Sequence, residues 1–272
     1  MLLKEYIRCY IKEASGYNSL NTMIKDLNAV VEEHRSENGN YAVDDELIYF
    51  AESVGLDEIG AGEYRKVYAL PQENWVLKIA YSYSDDNDYK YALRYNAKEV
   101  AIGEGEHGSG PRDLFVKVLG SDKLSEMPTW LITERAIDFD STGSFFSLED
   151  MEKIFPTFWS ALKENSPYKR NVKNFCSFIS DTLDSLGEAS MPGYSIDRVS
   201  RQDIYNSMKS GNTYDEASIV DLDKIKFSED VFRILRACAY SMPEDMHTGN
   251  IGIIKSGSPS PSDIVILDYI IG

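Results

Sequence analysis

The sequence predicts an α+β fold in which a helical segment precedes a small lobe of strands around one helix, followed by a larger helical lobe. Three observations carry that reading. Apolar residues recur at helical spacing up to about residue 54, change to short β-type runs over about 56–136, and return to helical spacing over 147–240. The organisation that follows is an N-terminal helical segment at 1–55, an N-lobe at 56–136, and a mainly helical C-lobe at 137–272 that closes on a hairpin. A chain of 272 residues is long enough for a sizeable core, and 43% hydrophobic with 12% aromatic residues excludes a disordered one.

Taken in order, residues 2–14 place Leu2, Leu3, Tyr6, Ile7, Tyr10, Ile11 and Ala14 on one helical face, opposite Lys4, Glu5, Arg8, Lys12 and Glu13. This amphipathic helix either docks on the body or meets a protein partner; its near-balanced charge argues against a membrane surface. A second helix runs through Leu20, Met23, Ile24, Leu27, Val30 and Val31, and a third covers about 44–54 and stops at Gly55. Strands follow at Glu63–Leu70, Trp75–Ala80, Leu114–Leu119 and Trp130–Thr133, with a helix near 89–104 between the second and third.

The helical lobe opens on Ser147-Leu148-Glu149-Asp150, a capping-box pattern ahead of Met151, Ile154, Phe155, Phe158 and Trp159, and Pro156 should kink or divide that helix. Further helices are expected at about 171–186, before Gly187, and at 228–242, between Ser228 and Pro243. Ile251–Ile254 and Ile264–Leu267 read as a hairpin. The serine, proline and glycine residues of 256–263 suggest a connection without internal order.

Charge narrows the function. With 28 basic and 45 acidic residues the formal net charge is -17, which repels a phosphate backbone, so nucleic acid is not the expected partner. Any nucleotide site must then bring its own lysines, backbone amides and divalent metal. Cys9, Cys176 and Cys238 are too few and too scattered for a disulfide framework or a zinc site, and no apolar run spans a bilayer. A cytoplasmic protein without membrane contact is expected.

Several polar residues sit where chemistry could use them. Gly60-Ala61-Gly62 stands at a turn between β-type runs, where backbone amides can approach phosphate oxygens without an intervening Cβ. Lys78 is the one lysine in Asn74-Trp75-Val76-Leu77-Lys78-Ile79-Ala80; it either snorkels from an edge strand or requires an acidic or phosphate partner. Glu99 on the following helix suits that partner role, with Glu104 as the alternative. Asp245-Met246-His247-Thr248-Gly249-Asn250 lies between a helix stop and a strand. There an aspartate can orient or deprotonate a hydroxyl and an asparagine can ligate magnesium. Asp268, after Ile264-Val265-Ile266-Leu267, would add a metal carboxylate. His247 serves better to order this loop than to catalyse, while His34 and His107 belong to no constellation.

The order of these parts resembles the protein-kinase-like superfamily over roughly residues 56–271. Asp-Met-His-Thr-Gly-Asn is similar to the catalytic loop of aminoglycoside-phosphotransferase-type kinases. Val-Tyr-Ala-Leu-Pro, Val-Leu-Lys-Ile-Ala, Asn-x-x-Glu-Val and Leu-Asp-Tyr together resemble compact kinase-like proteins of tailed bacteriophages. The resemblance implies a two-lobed kinase-like fold binding ATP and Mg²⁺. It makes Gly60 and Gly62 the phosphate loop, Lys78 the lysine on the α- and β-phosphates, Glu99 its helix partner, and Val67 and Val76 the roof over adenine. Glu134 and Ala136 become the hinge, Asp245 the base, and Asn250 and Asp268 the metal ligands.

This sequence also departs from the pattern. Arg65 replaces the third loop glycine, Glu244 precedes Asp245, and Tyr269-Ile270 follows Asp268. The chain runs only four residues beyond Asp268, so a truncated C-lobe without an activation segment is expected. Two functions are therefore implied: a phosphotransferase acting on a hydroxyl, or an inactive kinase-like binding or virion-associated phage protein (a pseudokinase) whose N-terminal helices meet a partner. Host cytoplasm or virion would be its location.

Overall fold

A computed structural model of the chain describes residues 19–38, 43–62, 64–72, 74–82, 86–104, 114–122, 127–138, 142–179, 221, 224, 228–231, 233 and 251–266. It is a mixed α+β protein whose sheets are antiparallel. The chain divides into two compact units, Met1–Ser109 with Lys117–Arg135, and Gly110–Val116 with Ala136–Gly272. Among the described residues no helix is long and apolar enough to cross a membrane. The amphipathic helix expected over 2–14 lies outside the described residues.

The first described elements of the first unit are α1 (Leu20–Asn38) and α2 (Asp44–Ser53). One stripe of α1, Met23, Leu27, Val30 and Val31, is buried, as its helical spacing requires. Asp44, Asp45 and Glu46 favour the positive end of the α2 dipole. The helix stops where a left-handed residue is needed: Gly55 has φ 77°, its N–H donates to Glu52 O at 3.1 Å, and Leu56 N–H donates to Ala51 O at 3.0 Å. That pair of bonds is a Schellman motif, which satisfies carbonyls the helix end would leave bare.

Five strands follow, β1 (Glu58–Ala61), β2 (Arg65–Ala69), β3 (Trp75–Ala80), β4 (Val118–Ser121) and β5 (Trp130–Glu134), in the spatial order β1-β2-β3-β5-β4. Helix α3 (Asp86–Glu104) joins β3 to β4. Because neighbouring residues of a strand face opposite ways, β3 has two distinct sides. Leu77 and Ile79, with Tyr68, Leu70, Trp130 and Ile132, bury against α1 and α2 in one continuous core. Lys78 and Ala80 face the other way, toward α3, where Tyr89 and Ala92 cover Ala80. The sheet is thus sandwiched between helices.

The second unit holds β6 (Ala136–Asp138), β7 (Ile251–Ile254) and β8 (Ile264–Ile266), paired in that order. Ser147 and Asp150 form a reciprocal capping box at the start of α4 (Leu148–Ile154). Pro156 divides the helix as expected: α4 ends at Ile154, and α5 (Pro156–Ala161) begins with the proline at its first position, where no N–H is missed. The residue before α5 is Phe155, which cannot cap, and the fully buried Asp230 supplies the cap from far along the chain, accepting from Thr157 N–H at 2.8 Å. Phe155, Phe158, Phe175 and Phe178 pack as the aromatic core of these helices, the last two from the helix over 172–179. Of the helices expected at 171–186 and 228–242, only 171–179, 228–231 and 233 fall among the described residues.

Three expectations need correction. The strand expected from Glu63 begins at Arg65, and β1 precedes it; all four β1 residues are exposed, so this edge strand has no apolar alternation to betray it. The run expected as a strand over Leu114–Leu119 joins the sheet only at Val118, while Leu114, Phe115 and Val116 are buried in the second unit. The connection between β7 and β8, expected without order, is tied together by one carboxylate. Asp263 accepts from Ser256 Oγ at 2.8 Å and from Ser260 N–H at 2.9 Å, holding a short 3-10 helix at Pro261–Asp263.

Candidate functional site

Several of the candidate residues of the first unit share one side of its sheet. Register settles which: Val67 lies opposite Lys78, Ala69 opposite Val76, and Val76 opposite Thr133, so Val67, Val76, Lys78, Leu131 and Thr133 share a face. Val67 is half-buried and Val76 buried, and both flank the strand position of Lys78. Thr133 is fully buried, and its hydroxyl has no hydrogen-bond partner among the described residues.

Lys78 is only 8% exposed, too deep to snorkel, and its ammonium needs a counter-charge. Glu99 provides it: Lys78 Nζ donates to Oε1 at 2.6 Å from β3 to α3. The other oxygen, Oε2, accepts from Arg65 Nη1 of β2. Burial pushes the Glu99 carboxyl toward its neutral form. The charges of Lys78 and Arg65, and their hydrogen bonds, outweigh that effect and hold its pKa below the usual carboxylate value. Glu104 ends α3, and its side chain lies outside those described.

The glycines stand at the neighbouring turn. Gly60 lies within β1 opposite Val67, and Gly62 begins the turn into β2, its N–H donating to Arg65 O at 2.9 Å. Neither has a positive φ. A Cβ at Gly60 would come 3.9 Å from Val67 Cβ, and one at Gly62 would come 4.0 Å from Arg65 O, both ordinary contacts. The fold itself therefore does not demand glycine at either position.

Glu134 closes β5 opposite Trp75, and its N–H is taken by Lys117 O at 2.9 Å. Ala136 opens β6 in the second unit, opposite Ile254. Asp245, Asn250 and Asp268 lie outside the described residues, as does His247. Glycines, lysine, glutamate and valines are thus brought together, while the proposed base and metal ligands are left without a described position.

Sequence reading did not foresee the part played by Arg65, noted there only as a departure from a glycine pattern. Its signal was present: Arg65, Val67 and Ala69 alternate on one face of β2, but only the β2–β3 register shows that this face carries Lys78. Thr133 was missed for a similar reason, since a threonine in an apolar strand announces nothing until its hydroxyl is found buried. Comparison with family models, with curated proteins and with solved structures finds no match to this chain.

Proposed function

We propose that the chain is a kinase-like protein that binds ATP with Mg²⁺ and transfers its terminal phosphoryl group to a hydroxyl. The observation that carries this reading is the buried Lys78–Glu99 pair, a strand cation fixed by a carboxylate of the helix that covers that face of the sheet. A lysine costs too much to bury for packing alone, and a net charge of -17 makes a local cation the first requirement of any phosphate site. Two glycines that the fold does not need, one turn from that lysine, support the same ligand. Their bare backbone suits close approach by phosphate oxygens.

On this reading Lys78 and the 60–62 backbone hold the phosphates, while Val67 and Val76 with Glu134 take the base. Asn250 and Asp268 would hold the metal, which would neutralise phosphate charge, and Asp245 would receive the acceptor's proton. The test is a thermal-shift titration with ATP in the presence and absence of Mg²⁺. Stabilisation by ATP that requires Mg²⁺ and disappears in Lys78→Ala is the expected result. No shift at millimolar nucleotide, with Lys78→Ala equally inert, would sink the idea.

A further inference from the structure

Glu99 has two carboxylate oxygens, and each has its own cation: Lys78 from β3 on Oε1 and Arg65 from β2 on Oε2. The three side chains are nearly enclosed, 10% exposed for Lys78, 13% for Arg65 and 4% for Glu99. The arrangement is unequal by chemistry. Guanidinium is planar, permanently charged and suited to a fixed carboxylate, whereas a lysine ammonium is a point charge on a flexible stem. An entering phosphate competes with Glu99 for Lys78. Were Lys78 the only cation on Glu99, that exchange would leave a buried carboxylate uncompensated.

We propose that Arg65 is a positioning residue that holds Glu99 in place and ionised through Oε2, so that Lys78 can pass from Glu99 to a ligand phosphate. The transfer of Lys78 rests on the nucleotide reading above; the hold of Arg65 on Glu99 does not. The largest charges acting on Glu99 are those of Lys78 and Arg65. Of the other strands packed on α3, β4 carries no ionisable residue, and Glu134 of β5 pairs with Trp75 at the start of β3. One turn away on α3 itself, Tyr95, Asn96, Ile102 and Gly103 are uncharged at neutral pH.

The experiment measures urea stability of the full chain from about pH 4 to 8 for wild type, Arg65→Met, Arg65→Lys and Glu99→Gln, together with the Mg²⁺-ATP thermal shift at each pH. Because the Glu99 pKa is lowered by folding, its contribution is present above the unfolded value and is lost as pH falls through the folded one. Arg65→Met should move that acid limb upward by about one pH unit or more, with Arg65→Lys moving it part of the way back. Arg65→Met placed on Glu99→Gln should leave the profile unmoved. Nucleotide binding by Arg65→Met should weaken progressively as pH falls, over a range where wild type holds its affinity. A loss of stability equal at every pH, or an acid limb that does not move, overturns the role of Arg65 whatever the nucleotide does. Absence of any ATP shift in wild type overturns the nucleotide reading and with it the transfer of Lys78. Should Arg65→Met fail to fold, Arg65→Gln carries the same comparison.

Discussion

Glu99 is the shared anion of two enclosed cations, so one side chain bears on the placement of three. Replacing it with glutamine keeps the shape but leaves Lys78 and Arg65 enclosed without their shared anion. Breaking a buried pair in this way costs about 3 kcal/mol or more, so Glu99→Gln should lower urea stability by that amount at pH 7. Gly60 and Gly62 make the opposite case. Neither backbone angle nor space calls for glycine there, so Gly60→Ala and Gly62→Ala should each change stability by less than about 0.5 kcal/mol. On the nucleotide reading both should weaken the ATP thermal shift, since an added Cβ crowds the backbone that phosphates approach. Gly55 differs again: its φ of 77° is left-handed, and Gly55→Ala should cost about 1 kcal/mol in a denaturant melt with no effect on nucleotide. Three glycines within eight positions thus separate conformational need from a need for open backbone.

Elements whose signals are local were open to reading from the chain. The capping box at Ser147 and Asp150, the break at Pro156 and the stop at Gly55 are each written within a few neighbouring residues, because the hydrogen bonds concerned join near neighbours. Ser147→Ala should therefore cost about 1 kcal/mol, measured by chemical denaturation, through loss of the bond to Asp150 N–H. Elements that depend on distant partners were not legible. Strand β1 is exposed at every residue and exists only through its pairing with β2, and β6 is three residues long. The cap on Thr157 comes from Asp230, too far along the chain for any local pattern to reveal. For the candidate site the same division holds. A lone lysine in an apolar strand calls for an acidic or phosphate partner unless it snorkels, whereas Arg65 on Glu99 emerges only from the pairing of two strands.

Across the first unit, the helices α1 and α2 behave as part of the sheet's core. Leu27 is fully buried among Met23, Val31, Leu77, Ile79 and Trp130 in one apolar cluster, so both sides of the contact lose if either is removed. Leu27→Ala should cost about 3 kcal/mol, since a cavity would remain between two rigid elements. The larger deletion is more telling. Without residues 1–55 the face bearing Tyr68, Leu77, Ile79, Trp130 and Ile132 would lose its cover, while the opposite face with Lys78 and Glu99 would keep α3. An uncovered apolar sheet face of that kind drives association, so the truncated chain should aggregate on size exclusion and bind a hydrophobic dye. If α1 and α2 were an appendage held ready for a partner, the remainder would instead stay monomeric, with the melting cooperativity of the full chain. The monomeric outcome would show that the sheet tolerates exposure and that the apolar cluster is a docking surface. Aggregation would tie the site's rigidity to the helices behind it, because the strand that aims Lys78 at Glu99 is the same strand that plants Leu77 and Ile79 against α1 and α2.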